Sequence, residues 1–542
     1  MTCRSRGANA AFEALLAEYL PAWAHCNPGC AVPGAARDRL PGLAGDERSA
    51  RFSLLESFLA ALEEIDPGGL DDVRRLERRL LMRGAVAALE LGMIRDPRHE
   101  DPRHALPFEA IEGLLRWPPG DFGHAFRALL EAVPGHLRDA RALLKESADR
   151  IHPRWVDAAV LEIEAGNEDL HRLHGDPRLH RRLSQRGAVD HLLEVAVQEL
   201  RRHAEFLRSD LRPRATGAAG CGGDELRLRL AVVHGLELDP GTLLPWLDDM
   251  QARVAGALDA CGDVVPSSPG TGVASRWLEG ACSHIGQAGL LPVDALPRPA
   301  IGTMPAAAAW RSLGLAYRPP PAGVVGTPVL ELARDAAAGV FGPWAEAELE
   351  QACAAAGCGG EHWLWVTARR APPGQRPARA LTSGRLLVQG WGLHARGWLV
   401  ASGHFGAPAH RRVWLGHLLR RLYEARADLE IHLGRADLDD LAGGAPEVGG
   451  TAAVPRLWAL SQEPLSGLLP VLGWRLIQAL YDVVGPDARG SVPGRLAAEG
   501  LIPLPEVIRV QFGERILDEV LARFMEPWPE GAAAGHGVGL PL

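Results

Sequence analysis

Apolar residues recur every three or four positions through most of the chain, the period of a helix that turns one face to a core. In residues 46–65, Phe52, Leu55, Phe58, Leu59 and Leu62 share one face. A second helix is predicted across LDDVRRLERRLLMRGAVAALEL, after the break at Pro67-Gly68-Gly69. Residues 122–151 read as two helices joined by a turn at Pro134-Gly135, because an internal proline removes a helical hydrogen bond and crowds the preceding turn. Residues 188–211 form a long amphipathic helix, and 243–261 another, entered from the turn Asp239-Pro240-Gly241.

Period-two alternation is scarce. The stretch EHWLWVTA (361–368) is short, apolar and partly alternating, and reads as an edge strand; GVVGTPVLELA, near Val324, is a second strand candidate. Three stretches read as loops. Residues 95–107 repeat Asp-Pro-Arg-His, and their prolines forbid a continuous helix. Residues 212–224 are a glycine-rich turn region without the Gly-Lys-Ser/Thr of a phosphate-binding loop, and 317–326 are polyproline-like. The expectation is a mostly α protein with few short strands. It forms a single unit over 1–542, with a helical N-terminal part (1–215), a cleft-forming part (216–525) and a flexible tail (526–542).

Composition narrows the function classes. The formal charge is −9 over 542 residues, and Lys145 is the only lysine, so there is no basic footprint for nucleic acid. The N-terminus has no apolar run of signal-peptide form, and no apolar stretch reaches membrane length, which predicts a cytoplasmic protein without membrane contact. The eight cysteines are scattered; Cys26 with Cys30, and Cys353 with Cys358, lack zinc-ribbon spacing and read as idle thiols in a reducing compartment.

Four segments, in order, carry a resemblance: FEALLAEYLPAWAHCNPGCAVPGAARDRLPGLAGD, LRPRATGAAGCGGDELRLRLAVVHGLEL, LAYRPPPAGVVGTPVLEL and LAAEGLIPLPEVIRVQF, the last with Gly500, Pro503 and Leu504. Together they resemble the bacterial domain-of-unknown-function family 885, which is related to helical zinc metallopeptidases. The resemblance implies a large helical zincin-like fold with a central cleft. It also implies zinc held by His-Glu-x-x-Pro-Gly-His, followed by Glu-Gly-Trp-x-x-Tyr-x-Glu on the next helix. Imidazole and carboxylate bind the metal, and a glutamate takes the proton of the zinc-bound water.

This chain departs from both signatures. The first reads Arg369, Arg370, Ala371, Pro372, Pro373, Gly374, Gln375; the second reads Gln389, Gly390, Trp391, Gly392, Leu393, His394, Ala395, Arg396. Arginine has no lone pair to donate, an amide oxygen is a poor zinc ligand, and three guanidinium groups repel a dication. Elsewhere Asp428 and His432 keep the family's Asp-x-x-x-His spacing on one helix face, and Gly473 is retained. Pro470 replaces an expected tyrosine, and Val492, Pro493 and Gly494 stand in a Phe-His-Asp-like segment. No metal or other cofactor is expected.

Three readings follow. The first is a catalytically inactive metallopeptidase homologue. Its former cleft, lined by Arg369, Arg370, Gln375, Gln389, Trp391 and Arg396, binds a peptide or another anionic ligand, or the protein pairs with a partner or a second copy. The second is a hydrolase with relocated chemistry at His394, Asp428 and His432. The third is a structural or regulatory partner of another enzyme. Trp363, Trp365 and Trp398 either floor the cleft or pack in the core. His404, His410 and His417 lack zincin spacing and read as surface or capping residues. Glu361-His362, a reversed His-Glu pair, carries no catalytic weight in any of the three.

Overall fold

The computed structural model describes residues 3–28, 37–43, 45–183, 186–262, 274–289, 291–293, 296–309, 315–321, 324, 326–332, 345–405, 408–444 and 453–526. The tail predicted from 526 lies, apart from its first residue, outside them. Among the described residues the fold is mostly helical, 76% helix against 3% strand. The chain divides into two compact units. The first comprises Met1–Ala218, Pro305–Arg311 and Pro320–Gly326; the second comprises Ala219–Met304, Ser312–Pro319 and Thr327–Leu542.

The first unit contains α1 (Cys3–Cys26), α2 (Gly45–Glu64), α3 (Asp72–Ile94), α4 (Phe122–Glu146), α5 (Pro153–His174) and α6 (Arg186–Phe206). In α2 the predicted face holds, with Leu55, Phe58 and Leu62 buried. The expected turn at Pro134 does not form: α4 runs through it as one helix. Leu129, Leu130, Val133, Leu137, Ala140 and Leu144 on both sides of the proline are buried, and most of them enter one core with Val189, Leu193, Val197 and Leu200 of α6. An internal proline costs about 3 kcal/mol, whereas each fully buried aliphatic side chain contributes about 1.5–3 kcal/mol, so packing overrides the break. The Asp-Pro-Arg-His repeat forms two separate short turns, Pro97–Glu100 and Pro102–Ala105. Asp96 accepts from Arg98 N at 3.1 Å and Asp101 from Arg103 N at 3.0 Å.

The second unit contains α7 (Leu243–Ala260), α8 (Ala274–Gln287), β1 (Ala300–Thr303), β2 (Leu315–Arg318), β3 (Val329–Leu332), α9 (Ala345–Ala354), α10 (Glu361–Arg370), α11 (Arg385–Ala401), α12 (Pro408–His432), α13 (Ala453–Gln462), α14 (Leu468–Val484), α15 (Leu504–Phe512) and α16 (Glu514–Arg523). The strands order as β1-β3-β2, with β1 parallel and β2 antiparallel to β3. Only β3 falls on a predicted strand. The other expected strand, 361–368, is helix α10. Eight partly alternating residues fit either period, and Trp363, Leu364, Val366 and Ala368 are buried on the helix. Helix α14 is buried on every side from Leu468 to Tyr481 and packs against α11, α12 and α16.

Cys282 of α8 and Cys358 form a disulfide across 76 residues of sequence, with Cα atoms 5.7 Å apart. The reading of all cysteines as idle thiols is therefore corrected. The fold brings α8 beside the wide helical turn Ala355–Gly359, which no local spacing in the sequence announces.

Candidate functional site

Helix α10 carries Arg369 and Arg370 at its C-terminal end. Pro372 bars a helical conformation from the residue before it, and Ala371 is extended (φ −63°, ψ 137°). The chain then makes a tight turn over Pro373–Gln375. A side chain on Gly374 would meet the Ala368 carbonyl oxygen at 1.8 Å and Gly500 Cα at 3.3 Å, and Gly500 itself has φ +79°. The two family-like glycines are therefore in backbone contact with one another.

The cationic and amide positions occupy separate environments. Arg369 lies over the Trp365 ring at 4.8 Å. Arg370 is exposed, and Gln375 Nε2 donates to its carbonyl at 2.9 Å. Gln389 Oε1 is buried with no hydrogen-bond partner among the described residues. Arg396 is buried on α11, where Nε donates to Gln351 Oε1 at 3.3 Å and Nη2 to the Glu348 carbonyl at 3.3 Å. The Glu348 carboxylate also faces His417 Nδ1 at 3.4 Å and pairs with Arg420. His417, expected at the surface, is buried, and burial together with Arg396 and Arg421 pushes its pKa well down.

Trp391 is a core residue. Its Nε1 donates to the Gly359 carbonyl at 3.1 Å, and its ring packs beside Trp363 at 5.4 Å. Trp363 and Trp398 are buried as well. Where α11 crosses α14 the backbones touch: a Cβ on Gly390 would lie 2.3 Å from the Gly473 carbonyl carbon, and one on Gly473 would lie 2.2 Å from the Leu386 oxygen.

The three candidate catalytic residues do not meet. His394 is held between the rings of Trp391 (5.3 Å) and Tyr481 (5.2 Å), and burial draws its pKa down to about 4, so it is neutral. Asp428 sits at the other end of α14. It accepts from Leu465 N (3.1 Å), Gly467 N (2.7 Å) and Leu468 N (3.1 Å), and so caps the helix start. The helical rise from Leu468 to Tyr481 separates the two by ~20 Å. His432 does approach Asp428 (3.5 Å), but Nε2–H donates to the Leu460 carbonyl at 3.0 Å and Nδ1 accepts from Cys221 N at 3.2 Å. Every polar atom of the Asp428–His432 pair is engaged in tying backbone segments together.

A different constellation forms at the start of α10. The Tyr317 hydroxyl, on β2, donates to His362 Nδ1 at 3.0 Å, and His362 Nε2–H donates to the Pro297 carbonyl at 2.6 Å. Both bonds suit a neutral imidazole, and burial lowers the His362 pKa. The neighbouring Glu361 makes no hydrogen bond or ion pair among the described residues. Its carboxyl rests against the bare backbone of α11, where a Cβ on Gly392 would lie 3.2 Å from Oε1. Burial raises its pKa to about 7, against the opposing pull of Arg421 and Arg318. The adjacent Glu and His are visible in the sequence; the distant tyrosine that orients the histidine is not.

Among the described residues, no group of three or more His, Cys, Asp or Glu side chains stands close enough to hold a metal ion. The guanidinium and amide groups at the motif positions have the wrong donor chemistry for zinc. No described helix is long and apolar enough to cross a membrane.

The architecture is that of a large, mostly helical two-unit protein, and solved structures share it. A putative lipoprotein of unknown function from Shewanella oneidensis matches over 94% of this chain and 100% of its own, with TM-score 0.66 and 12% identity. A second putative lipoprotein, from Colwellia psychrerythraea, matches over 95% and 99%, with TM-score 0.70 and 12% identity. At this identity the likeness shows the fold alone. No family model and no curated protein matches the chain.

Proposed function

We propose that the chain is a non-hydrolytic, zincin-like relative of helical metallopeptidases, whose second unit binds a peptide or another small anion beside α10. The observation that carries this reading is the fate of the donors. Arg369, Arg370, Gln375, Gln389 and Arg396 stand at the metal and acid positions of the motifs, and the remaining donors His394, Asp428 and His432 are committed to packing and backbone caps. Guanidinium groups suit carboxylate recognition. The Cys282–Cys358 disulfide supports an oxidising compartment as the working location in place of the predicted cytoplasm, and the lipoprotein names of the two structural neighbours agree with it.

The test is elemental analysis of the purified protein, with peptide-library hydrolysis measured with and without chelator. Metal well below one per chain and no chelator-sensitive cleavage are expected. Stoichiometric zinc with chelator-sensitive cleavage refutes the reading. In parallel, short peptides should raise the thermal midpoint of the native protein but not that of Arg369→Ala.

A further inference from the structure

We propose that the corner Ser402–Phe405, which leaves the end of α11, is an acid-operated latch. The neutral ring of His404, lying against α8, holds Phe405 in the core, and protonation of His404 expels the ring and releases Phe405. Four rings from α8, the corner and α12 meet there. The His404 ring lies 5.1 Å from that of His284, in the last turn of α8, and 4.5 Å from that of Phe405. Phe405 is buried and stacks at 4.8 Å on His410 of α12. A Cβ on Gly280, one turn before His284, would touch His404 Cε1 at 3.7 Å, so His404 covers the Gly280–His284 face of α8. The surroundings are tied down. Ser402 Oγ donates to the Leu399 carbonyl at 3.1 Å, so it accepts from His284 Nε2–H at 2.9 Å. Gln351 Nε2, on α9, donates to the His410 carbonyl at 2.6 Å. Cys282, two residues before His284, is pinned by the disulfide. His404 itself makes no hydrogen bond among the described residues, so ring packing alone seats it.

The titratable groups facing His404 are His284 on α8 and His410 on α12, with Glu350 on α9 behind them. The Glu350 carboxylate lies 3.9 Å from His410 Nε2 and gives that ring a counter-charge. Among the described residues neither His284 nor His404 has a carboxylate within ion-pair distance. Arg276 and Glu279 of α8 are exposed, and Arg412 of α12 is turned onto the Leu258 and Gly262 carbonyls. Cys353 of α9 is a buried thiol whose pKa burial pushes up to about 12, and the turn Ala355–Gly359 carries only the disulfide sulfur of Cys358. Burial, and then His284 and His410, push the His404 pKa down to about 4. A ring released into water returns toward 6.5. The closed corner is therefore fully stable above pH 6.5 and loses stability as pH falls toward 4. A protonated His284 keeps its bond to Ser402, because Nδ1 takes the added proton. It stays in place and repels a charge formed on His404.

The experiment is hydrogen exchange of the full chain between pH 7.5 and 4.5, with the intrinsic pH dependence divided out. Peptides covering residues 399–405 report the corner, where Ser402 N and Gly403 N donate to the Trp398 and Val400 carbonyls. Peptides from α14 report global unfolding. Protection in the corner should fall by up to about tenfold per pH unit below 6.5 while α14 keeps its own. His404→Gln, checked for folding by its thermal midpoint, should show corner protection that no longer varies with pH. His284→Gln, which removes the opposing charge, should shrink the fall. Corner protection independent of pH in the wild type, a fall that persists unchanged in His404→Gln, or a fall that α14 shares overturns the inference. Proton magnetic resonance of the His404 ring, assigned by its absence from His404→Gln, gives a second reading. Its titration midpoint should lie well below 6.5 and rise in His284→Gln, and a wild-type midpoint at 6.5 also overturns the inference.

Discussion

Substituting Gly390 with alanine tests whether this glycine, where α11 crosses α14, serves packing or chemistry. The added Cβ would lie 2.3 Å from the Gly473 carbonyl carbon and 2.7 Å from Trp474 N. Ordinary carbon contacts are about 3.5–4.0 Å, so α11 and α14 must part by more than an ångström. The obstacle is backbone and cannot rotate aside. Leu386, Leu387 and Trp391 on one helix and Leu469, Leu472 and Leu476 on the other are all buried and would lose packing as the helices part. Overpacking of this kind costs about 1–3 kcal/mol, and the rigid backbone puts Gly390→Ala at or above the upper end. Alanine's better helix propensity returns about 1 kcal/mol. The net loss is about 2 kcal/mol, a fall of about 3 °C in thermal midpoint for a unit of about 300 residues. Gly256, inside α7 with nothing within 4 Å of an added Cβ, is the control. There the propensity gain acts alone, and Gly256→Ala should raise the midpoint by about 1–2 °C. Scanning calorimetry of both variants decides the matter. A Gly390→Ala protein as stable as the wild type would refute the packing argument.

Asp428→Ala should destabilise the second unit by about 2 kcal/mol or more, because the Leu465 and Gly467 N–H groups lose their acceptor while Leu468 N keeps the Leu465 carbonyl. Denaturant titration measures this, and a loss below about 1 kcal/mol contradicts the capping role. Glu361 has a raised folded pKa, so the native state holds a proton that the unfolded chain releases above its ordinary 4.5. The stability this contributes is full below pH 4.5 and is lost as pH rises through about 7. Glu361→Gln should flatten that decline in midpoint-versus-pH curves. His394 behaves oppositely: its folded pKa is depressed from 6.5 to about 4, so stability present above pH 6.5 is lost as pH falls toward 4. His394→Leu should remove that acid-side loss, and an unaltered profile would contradict a buried neutral imidazole. Reduction of Cys282–Cys358 should lower the midpoint, since opening a crosslink over 76 residues releases about 4 kcal/mol of unfolded-state constraint. Thiol titration of the denatured chain should find Cys282 and Cys358 unreactive until reductant is added.

Periodicity makes the long helices legible, because a face such as Leu55, Phe58 and Leu62 is written at a spacing only a helix satisfies. It fails where the window is short. Residues 361–368 fit both periods, and the deciding feature, the Pro372-Pro373 stop that ends a helix, lies just beyond them. It fails again at Pro134, where the sequence announces a break that a shared core cancels. The chemistry was harder to see. Asp428 and His432 are correctly placed on one helix face, but their partners, Leu465, Gly467, Leu460 and Cys221, lie far along the chain and turn a candidate catalytic pair into a structural clamp. Glu361 is visible too, but the burial against Gly392 that raises its pKa is not local to it.

The two units are assembled from six stretches of chain, so the backbone passes from one unit to the other five times. One of the returning stretches, Pro305–Arg311, is bound in place by Ala307 N donating to Asp169 Oδ2 of α5 at 3.1 Å, with Ala307 buried in that unit's core. Expressing residues 1–218 alone would therefore leave the seat of Ala307 open and Asp169 without that donor. No single scission separates the halves cleanly. Recombination or duplication of either half by one crossover would yield an unfinished unit.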